Sequence, residues 1–219
     1  MNTSGSPLLQ LLLGLALILG LAKPDPDALQ DYCIADNRRP GSIFTNDVPC
    51  IDPARANSSY FATSALSRPG NTGSNQYGSN VTLVNTVNLP GLNTMGLTMA
   101  RIDIAADGIV PLHSHPRASE VTICLKGELT VGFMDTSNRQ YTEKLRPGDS
   151  FVFPKGLVHF IYNRDGKRPA VAVSGFNSQD PGTQLASMAT FASKHGIPDA
   201  VLKRAFRISN QELTTRLGT

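Results

Sequence analysis

The chain has 219 residues, 40% of them hydrophobic, and its 20 Lys and Arg residues exceed its 17 Asp and Glu residues by three. This length is sufficient for one domain with a hydrophobic core. The net charge of +3 is small and scattered, which argues against a nucleic-acid-binding surface and leaves room for weak attraction to acidic cell-wall polymers.

Residues 1–22 are predicted to be a secretory signal peptide. Residues 8–22 are almost wholly Leu, Ile, Ala and Gly, and this run is shorter than the roughly 20 apolar residues that cross a bilayer. Small residues at positions 20 and 22 suit cleavage before Lys23. An uncleaved membrane anchor is the alternative. Cleavage would give a secreted mature chain without a membrane span.

Residues 23–80 are predicted to form an N-terminal arm, because prolines and polar turn residues interrupt every regular pattern. Cys33 and Cys50 flank a loop rich in Asn, Arg, Pro and Gly. In an oxidising compartment, pairing them would close a loop of roughly 18 residues and stabilise the fold by about 3 kcal/mol. Asn57 and Asn80 each begin an N-glycosylation triplet, so both are candidate glycosylation sites.

Residues 81–180 contain short apolar runs separated by turns rich in Gly, Pro and Asp, which favours an antiparallel sandwich or barrel. Cys124 lies in one run and is interpreted as a buried free thiol, with a place near a metal as the alternative. Residues 181–219 have helical spacing and are predicted to form a C-terminal helical extension. Ser209 and Glu212 have capping-box spacing ahead of its last helix.

Three of the four histidines accompany one carboxylate, which indicates a mononuclear metal site. The candidate ligands are His113, His115, Glu120 and His159. Residues two apart on a strand share a face, so the first two imidazoles would point to one place. A turn at 116–118 would reset the alternation and let the carboxylate face inward. Another turn at 154–156 precedes the last histidine, so two hairpins are expected to supply all four ligands.

Three imidazoles and one carboxylate suit octahedral Mn(II) or Fe(II), with two positions left for water or substrate. A closed tetrahedral Zn site is the alternative. Open positions on a redox-capable ion would permit reaction with a small oxygen species or a small acid.

The two histidine segments resemble the two cupin boxes of germins and germin-like proteins, a plant family within the cupin superfamily. The first box corresponds to residues 108–127 and the second to residues 148–163. The resemblance implies an all-β fold, a cupin jelly-roll β-barrel with C-terminal α-helices. It also implies Mn²⁺ at the four ligands, a Cys33–Cys50 disulfide, a homohexamer built as a trimer of dimers, and secretion to the apoplast or cell wall.

The resemblance further implies a role in plant defence and superoxide dismutase activity at the metal, with no catalytic residue beyond its ligands. A non-catalytic wall-associated binding or receptor protein with a structural metal is the alternative. Oxalate-oxidising members carry two asparagines where this chain has Ala100 and Val110, so oxalate oxidase activity is not expected. Asp107 replaces a family glycine and is expected to add a carboxylate near the mouth of the site.

Overall fold

The computed structural model describes residues 30–38, 48–192 and 196–217, so the predicted signal peptide at 1–22 lies outside the described residues. This part of the chain contains ten strands and three α-helices. The strands are β1 (Ser79–Leu83), β2 (Thr98–Ile104), β3 (Ile109–Ser114), β4 (Glu120–Lys126), β5 (Leu129–Met134), β6 (Gln140–Leu145), β7 (Ser150–Phe153), β8 (His159–Tyr162), β9 (Ala170–Phe176) and β10 (Gln184–Leu185). The helices are α1 (Ala186–Phe191), α2 (Asp199–Phe206) and α3 (Asn210–Leu217).

The strands form two five-stranded sheets, ordered β1-β2-β9-β4-β7 and β10-β3-β8-β5-β6. Every neighbouring pair is antiparallel. Buried residues alternate with more exposed ones along β9, as expected when one face of a sheet covers a core. The core between the sheets includes Ile102, Ile104, Leu129, Val131, Phe153 and Ile161. The predicted jelly-roll with C-terminal helices is confirmed.

The connections that carry the metal-site residues run between the two sheets. Strand β3 belongs to one sheet and β4 to the other, and the same holds for β8 and β7. The prediction that two hairpins supply the ligands is therefore wrong, because neither turn joins two strands that pair with each other. Gly156 in the second turn has a φ of 76°, a left-handed conformation that glycine adopts without a steric penalty.

The N-terminal arm is closed by a disulfide within it and is held to the rest of the fold by hydrogen bonds. Cys33 and Cys50 form a disulfide with their Cα atoms 5.0 Å apart. Asn93, which is fully buried, donates its side-chain amide to the backbone carbonyl of Val48 at 2.6 Å. The residues at both ends of the closed loop are thereby held against the barrel.

The C-terminal helices show the predicted capping box. The backbone N–H of Ser209 donates to the Glu212 carboxylate at 2.8 Å, and the backbone N–H of Glu212 donates back to the Ser209 hydroxyl at 3.2 Å. Phe191 of α1 packs against Phe206 of α2, with ring centroids 5.2 Å apart. None of the described helices is long and apolar enough to cross a membrane.

Candidate metal centre

The four predicted ligands lie together between the two sheets. His113 in β3 stands directly opposite His159 in β8, His115 follows the end of β3, and Glu120 begins β4 of the facing sheet. Each of the four residues is at most 6% exposed, and their potential ligand atoms all lie within 4.8 Å of one another. Strands that are distant in sequence thus bring three imidazoles and one carboxylate to one buried point.

A β-bulge aims the first histidine into the barrel. The register between β3 and β8 shifts between Val110 and His113, a stretch that contains Pro111, which has no backbone N–H to give to a ladder. A bulge bends its strand and redirects the side chain that follows. Beyond the strand, the carbonyl of His115 accepts a hydrogen bond from the N–H of Gly156 at 3.0 Å. The segments that carry the imidazoles are therefore fixed by backbone contacts.

Backbone carbonyls determine the tautomer of all three imidazoles. Each ring places Nδ1 against a carbonyl oxygen, and because a carbonyl only accepts hydrogen bonds, Nδ1 must carry the proton. The partners are Pro111 for His113 (2.8 Å), Gly182 for His115, and Leu157 for His159 (2.8 Å). In the neutral rings the Nε2 lone pairs are then free to bind a metal, and such Nδ1 contacts are typical of metal-ligating histidines.

The two carboxylate oxygens of Glu120 contact different neighbours. Oε1 accepts hydrogen bonds from the hydroxyls of Thr122 and Ser174, each at 2.7 Å. Oε2 lies 3.1 Å from Nε2 of His115 and 3.3 Å from Nε2 of His159. Metal bonds of about 2.1 Å at right angles would hold two donor atoms about 3 Å apart. When the imidazoles are neutral, these atoms all present lone pairs, so the donor set fits a cation at its centre.

The electrostatics of the site also favour a bound cation. Burial, together with the nearby His159, lowers the pKa of His113 to about 4, so this imidazole is neutral at pH 7. Burial alone would raise the pKa of Glu120, but contacts with His115 and His159 and the Ser174 hydroxyl bring it below its ordinary value. An ionised carboxylate therefore lies beside a neutral imidazole, the protonation states that metal binding requires.

A mostly apolar cavity of about 370 Å³ adjoins the ligand cluster. Its apolar side chains include Leu83, Ile102, Val110, Ile161 and Phe176. Ala100, the other position where the oxalate-oxidising pattern has an asparagine, is fully buried and packs with Ala118 and Phe176. Neither Val110 nor Ala100 offers a side-chain hydrogen-bond donor to a ligand.

Two further residues singled out in the sequence lie away from the cluster. Asp107 is exposed in a turn with a φ of 57°, and its carboxylate accepts a hydrogen bond from the hydroxyl of Tyr162. It is not among the residues that line the cavity, so a carboxylate at the mouth stays an expectation. Cys124 is a buried free thiol in the core cluster, with a pKa raised by burial.

The two candidate glycosylation sites differ in their surroundings. Asn57 is exposed, and its side-chain carbonyl accepts a hydrogen bond from the N–H of Ser59 at 3.0 Å. Asn80 is half-buried in β1, and its side-chain oxygen accepts a hydrogen bond from the Thr82 hydroxyl at 3.2 Å. A Cβ atom at Gly70 would lie only 2.0 Å from that oxygen, so the amide of Asn80 packs closely on the glycine backbone.

Sequence reasoning did not identify the two hydroxyls that contact Glu120. Thr122 carries a usable signal, because it lies two residues after Glu120 on the same face of β4. Ser174 carries none, because only the pairing of β4 with β9 places it opposite Thr122. The missing information was the register of two strands that are far apart in the chain.

Comparison with known proteins places this architecture and ligand cluster in one family. The cupin family model matches residues 64–213. The chain is 54% identical to germin-like protein subfamily 1 member 1 of Arabidopsis thaliana, covering 94% of this chain and 95% of that protein. It is 50% identical to germin-like protein 3-1 of Oryza sativa subsp. japonica, covering 93% and 92%. A solved oxalate oxidase structure superposes with a TM-score of 0.83 and 38% identity, covering 89% of this chain and 96% of that one. The chain therefore belongs to the germin-like proteins of the cupin family.

Proposed function

We propose that this protein is secreted to the apoplast or cell wall, binds Mn²⁺ through His113, His115, Glu120 and His159, and acts as a superoxide dismutase in plant defence. The observation that carries the proposal is the convergence of four buried donor groups, each held by its own hydrogen bond. Preorganised donors of this kind keep their geometry whether or not the metal is present.

The residues of the chain would hold the metal and limit what reaches it. When bound, manganese supplies one-electron chemistry by alternating between two oxidation states, so that two superoxide ions and two protons become O₂ and H₂O₂. The three imidazoles and the carboxylate carry one negative charge when the imidazoles are neutral, which suits a cation that must accept and return an electron. The apolar wall formed by Val110, Ile161 and Phe176 offers little to a large polar substrate.

We infer that the chain does not oxidise oxalate, although it resembles the solved oxalate oxidase. Oxalate is a dianion whose oxygens need hydrogen-bond donors when they leave water. Val110 and Ala100 are buried and apolar. Each missing donor would cost about 1–3 kcal/mol of binding free energy. Two missing donors would therefore weaken oxalate binding by roughly one and a half to four orders of magnitude.

A binding or receptor protein with a structural metal is the second candidate, and the outer face of one sheet favours it. Met99, Gly175, Val121 and Val152 are paired across four neighbouring strands. The three side chains in this row are 43%, 50% and 54% exposed. An apolar row of this kind suits contact with another protein surface. A homohexamer built as a trimer of dimers, which the family resemblance implies, is an assembly that could cover such a surface.

Superoxide consumption by the metal-loaded protein tests the first candidate. We expect Mn-loaded protein to dismutate superoxide faster than the same concentration of free Mn²⁺, and the His159→Ala variant to lose this excess. No excess over free Mn²⁺ would reject the enzyme. If His159→Ala then lowered only the thermal stability or the assembly state, the second candidate would take its place.

A further inference from the structure

A triangle of three oxygen atoms lies behind the candidate metal ligand Glu120. The hydroxyls of Thr122 and Ser174 each lie 2.7 Å from Oε1 of the carboxylate and 2.7 Å from each other. Both residues are fully buried. The two strands that carry them are adjacent, and Thr122 is paired directly with Ser174. The sheet register alone therefore builds this triangle.

The number of hydroxyl protons determines how many hydrogen bonds Oε1 of Glu120 can accept from this triangle. Two hydroxyls carry two protons for three short oxygen contacts, so at most two of the contacts are hydrogen bonds at any moment. If both hydroxyls donate to Oε1, the carboxylate receives two bonds. If one hydroxyl donates to the other, the second still donates to Oε1. In either arrangement an ionised Glu120, which only accepts, keeps at least one donor on this oxygen.

The triangle restricts how Glu120 can face a cation. A carboxylate can bind a metal through one oxygen or through both. Here Oε1 is turned toward the two hydroxyls, while Oε2 alone lies 3.1 Å and 3.3 Å from the imidazoles of His115 and His159. Rotation that brought Oε1 to the cation would break the bonds from the buried hydroxyls. Unpaired buried hydroxyls are costly, so single-oxygen binding is favoured.

Ordinary packing does not explain two hydroxyls at these positions. Valine matches threonine in shape, and alanine would fill the space of the serine without a polar atom. Buried side-chain hydroxyls bond most often to the backbone or to water, as Thr98 does with the carbonyl of Val84. Here both hydroxyls serve one carboxylate oxygen instead.

We propose that Thr122 and Ser174 are positioning residues that hold Glu120 to single-oxygen metal binding and withdraw electron density from its carboxylate. The inference rests on the proposed function, because it requires Glu120 to be a metal ligand. When a metal is bound, the pair would keep the second carboxylate oxygen from occupying a further coordination position. It also sets how strongly the carboxylate donates to the metal, and outer-shell groups of this kind tune metal affinity and redox behaviour.

The test is a variant series on the intact protein with Mn²⁺ as the probe. The variants are Thr122→Val, Ser174→Ala, the double change, and Thr122→Ser, which keeps the hydroxyl. Thr98→Val is the matched control, since Thr98 is 2% exposed and its hydroxyl does not contact Glu120. Mn²⁺ affinity is read from the electron paramagnetic resonance signal of free Mn²⁺, and the ligand field from the zero-field splitting of the bound ion. Circular dichroism verifies that each variant is folded.

We expect the double variant to bind Mn²⁺ about tenfold more weakly and to show a changed zero-field splitting. Each single variant should lie between it and the parent, while Thr122→Ser and Thr98→Val retain the parent values. If the double variant does not fold, Thr122→Val, which preserves shape, carries the test alone. Parent-like affinity and splitting in folded variants without the hydroxyls would overturn the inference.

The Glu120→Gln variant separates this inference from the proposed function. If Glu120→Gln weakens Mn²⁺ binding but loss of the hydroxyls does not, Glu120 is a ligand and only the positioning role is wrong. If Glu120→Gln leaves Mn²⁺ binding unchanged, Glu120 is not a ligand and both proposals are overturned.

Discussion

Acidification of the metal-free protein should destabilise it through His113. Burial lowers the pKa of this imidazole from 6.5 to about 4, whereas in the unfolded chain it returns to the ordinary value. Between these two values the unfolded state binds a proton and the folded state does not. As far as His113 determines it, the free energy of unfolding is therefore highest above pH 6.5 and falls as the pH drops toward 4.

The size of this effect follows from the two pKa values. A group with pKa 6.5 unfolded and about 4 folded lowers the free energy of unfolding by about 2 kcal/mol between pH 7 and pH 5. The full difference, reached below pH 4, is about 3 kcal/mol. The exposed fraction of His113 is only 4%, so water screens little of this cost.

Chemical denaturation at several pH values measures the effect. Because the chain has no Trp, far-UV circular dichroism in urea is a suitable probe, with chelator present and the disulfide intact. The parent protein should lose about 2 kcal/mol between pH 7 and pH 5, and His113→Gln should lose much less because position 113 no longer titrates. Equal losses in the parent and in His113→Gln would refute the assignment of the effect to this imidazole.

Three other predictions follow from the structure. Replacing Cys33 and Cys50 with Ala should lower the free energy of unfolding by about 3 kcal/mol in urea denaturation, and a loss below about 1 kcal/mol would contradict this role. Mn-loaded parent protein should release no hydrogen peroxide from oxalate. The Val110→Asn variant should bind oxalate about tenfold more tightly through one new hydrogen bond. Unchanged oxalate affinity in a folded variant would contradict the inference that the apolar cavity prevents oxalate binding. In protein secreted by a plant host, mass spectrometry should find an N-glycan on the exposed Asn57 and none on Asn80, and the reverse pattern would show that accessibility in the fold does not select the site.

The placement of the first three metal-site residues was predictable because it depends on local sequence. His113 and His115 lie two apart, so strand alternation places them on one side, and the prolines on either side indicate where the regular ladder ends. The turn after His115 lets Glu120 face inward again. These inferences need only the residues within a short segment, and the structure brings the predicted side chains together.

Features that depend on distant pairing were not predictable in this way. The sequence pattern did not reveal that β3 and β4 belong to different sheets. The residue types of a turn are the same whether the turn joins two paired strands or connects the two sheets. Strand β6 is not one of the short apolar runs of the sequence, because five of its six residues are exposed and its polar side chains show no alternation. The contact between Ser174 and Glu120 requires the β4–β9 register, which no local signal encodes.

The proposal that three imidazoles and one carboxylate hold a single divalent ion between the two sheets can be examined by metal analysis combined with X-ray absorption spectroscopy on the purified protein. We predict one Mn per chain, imidazole scattering from three rings, and loss of the metal in His159→Ala. A bound metal without imidazole scattering, or an undiminished metal content in His159→Ala, would contradict it.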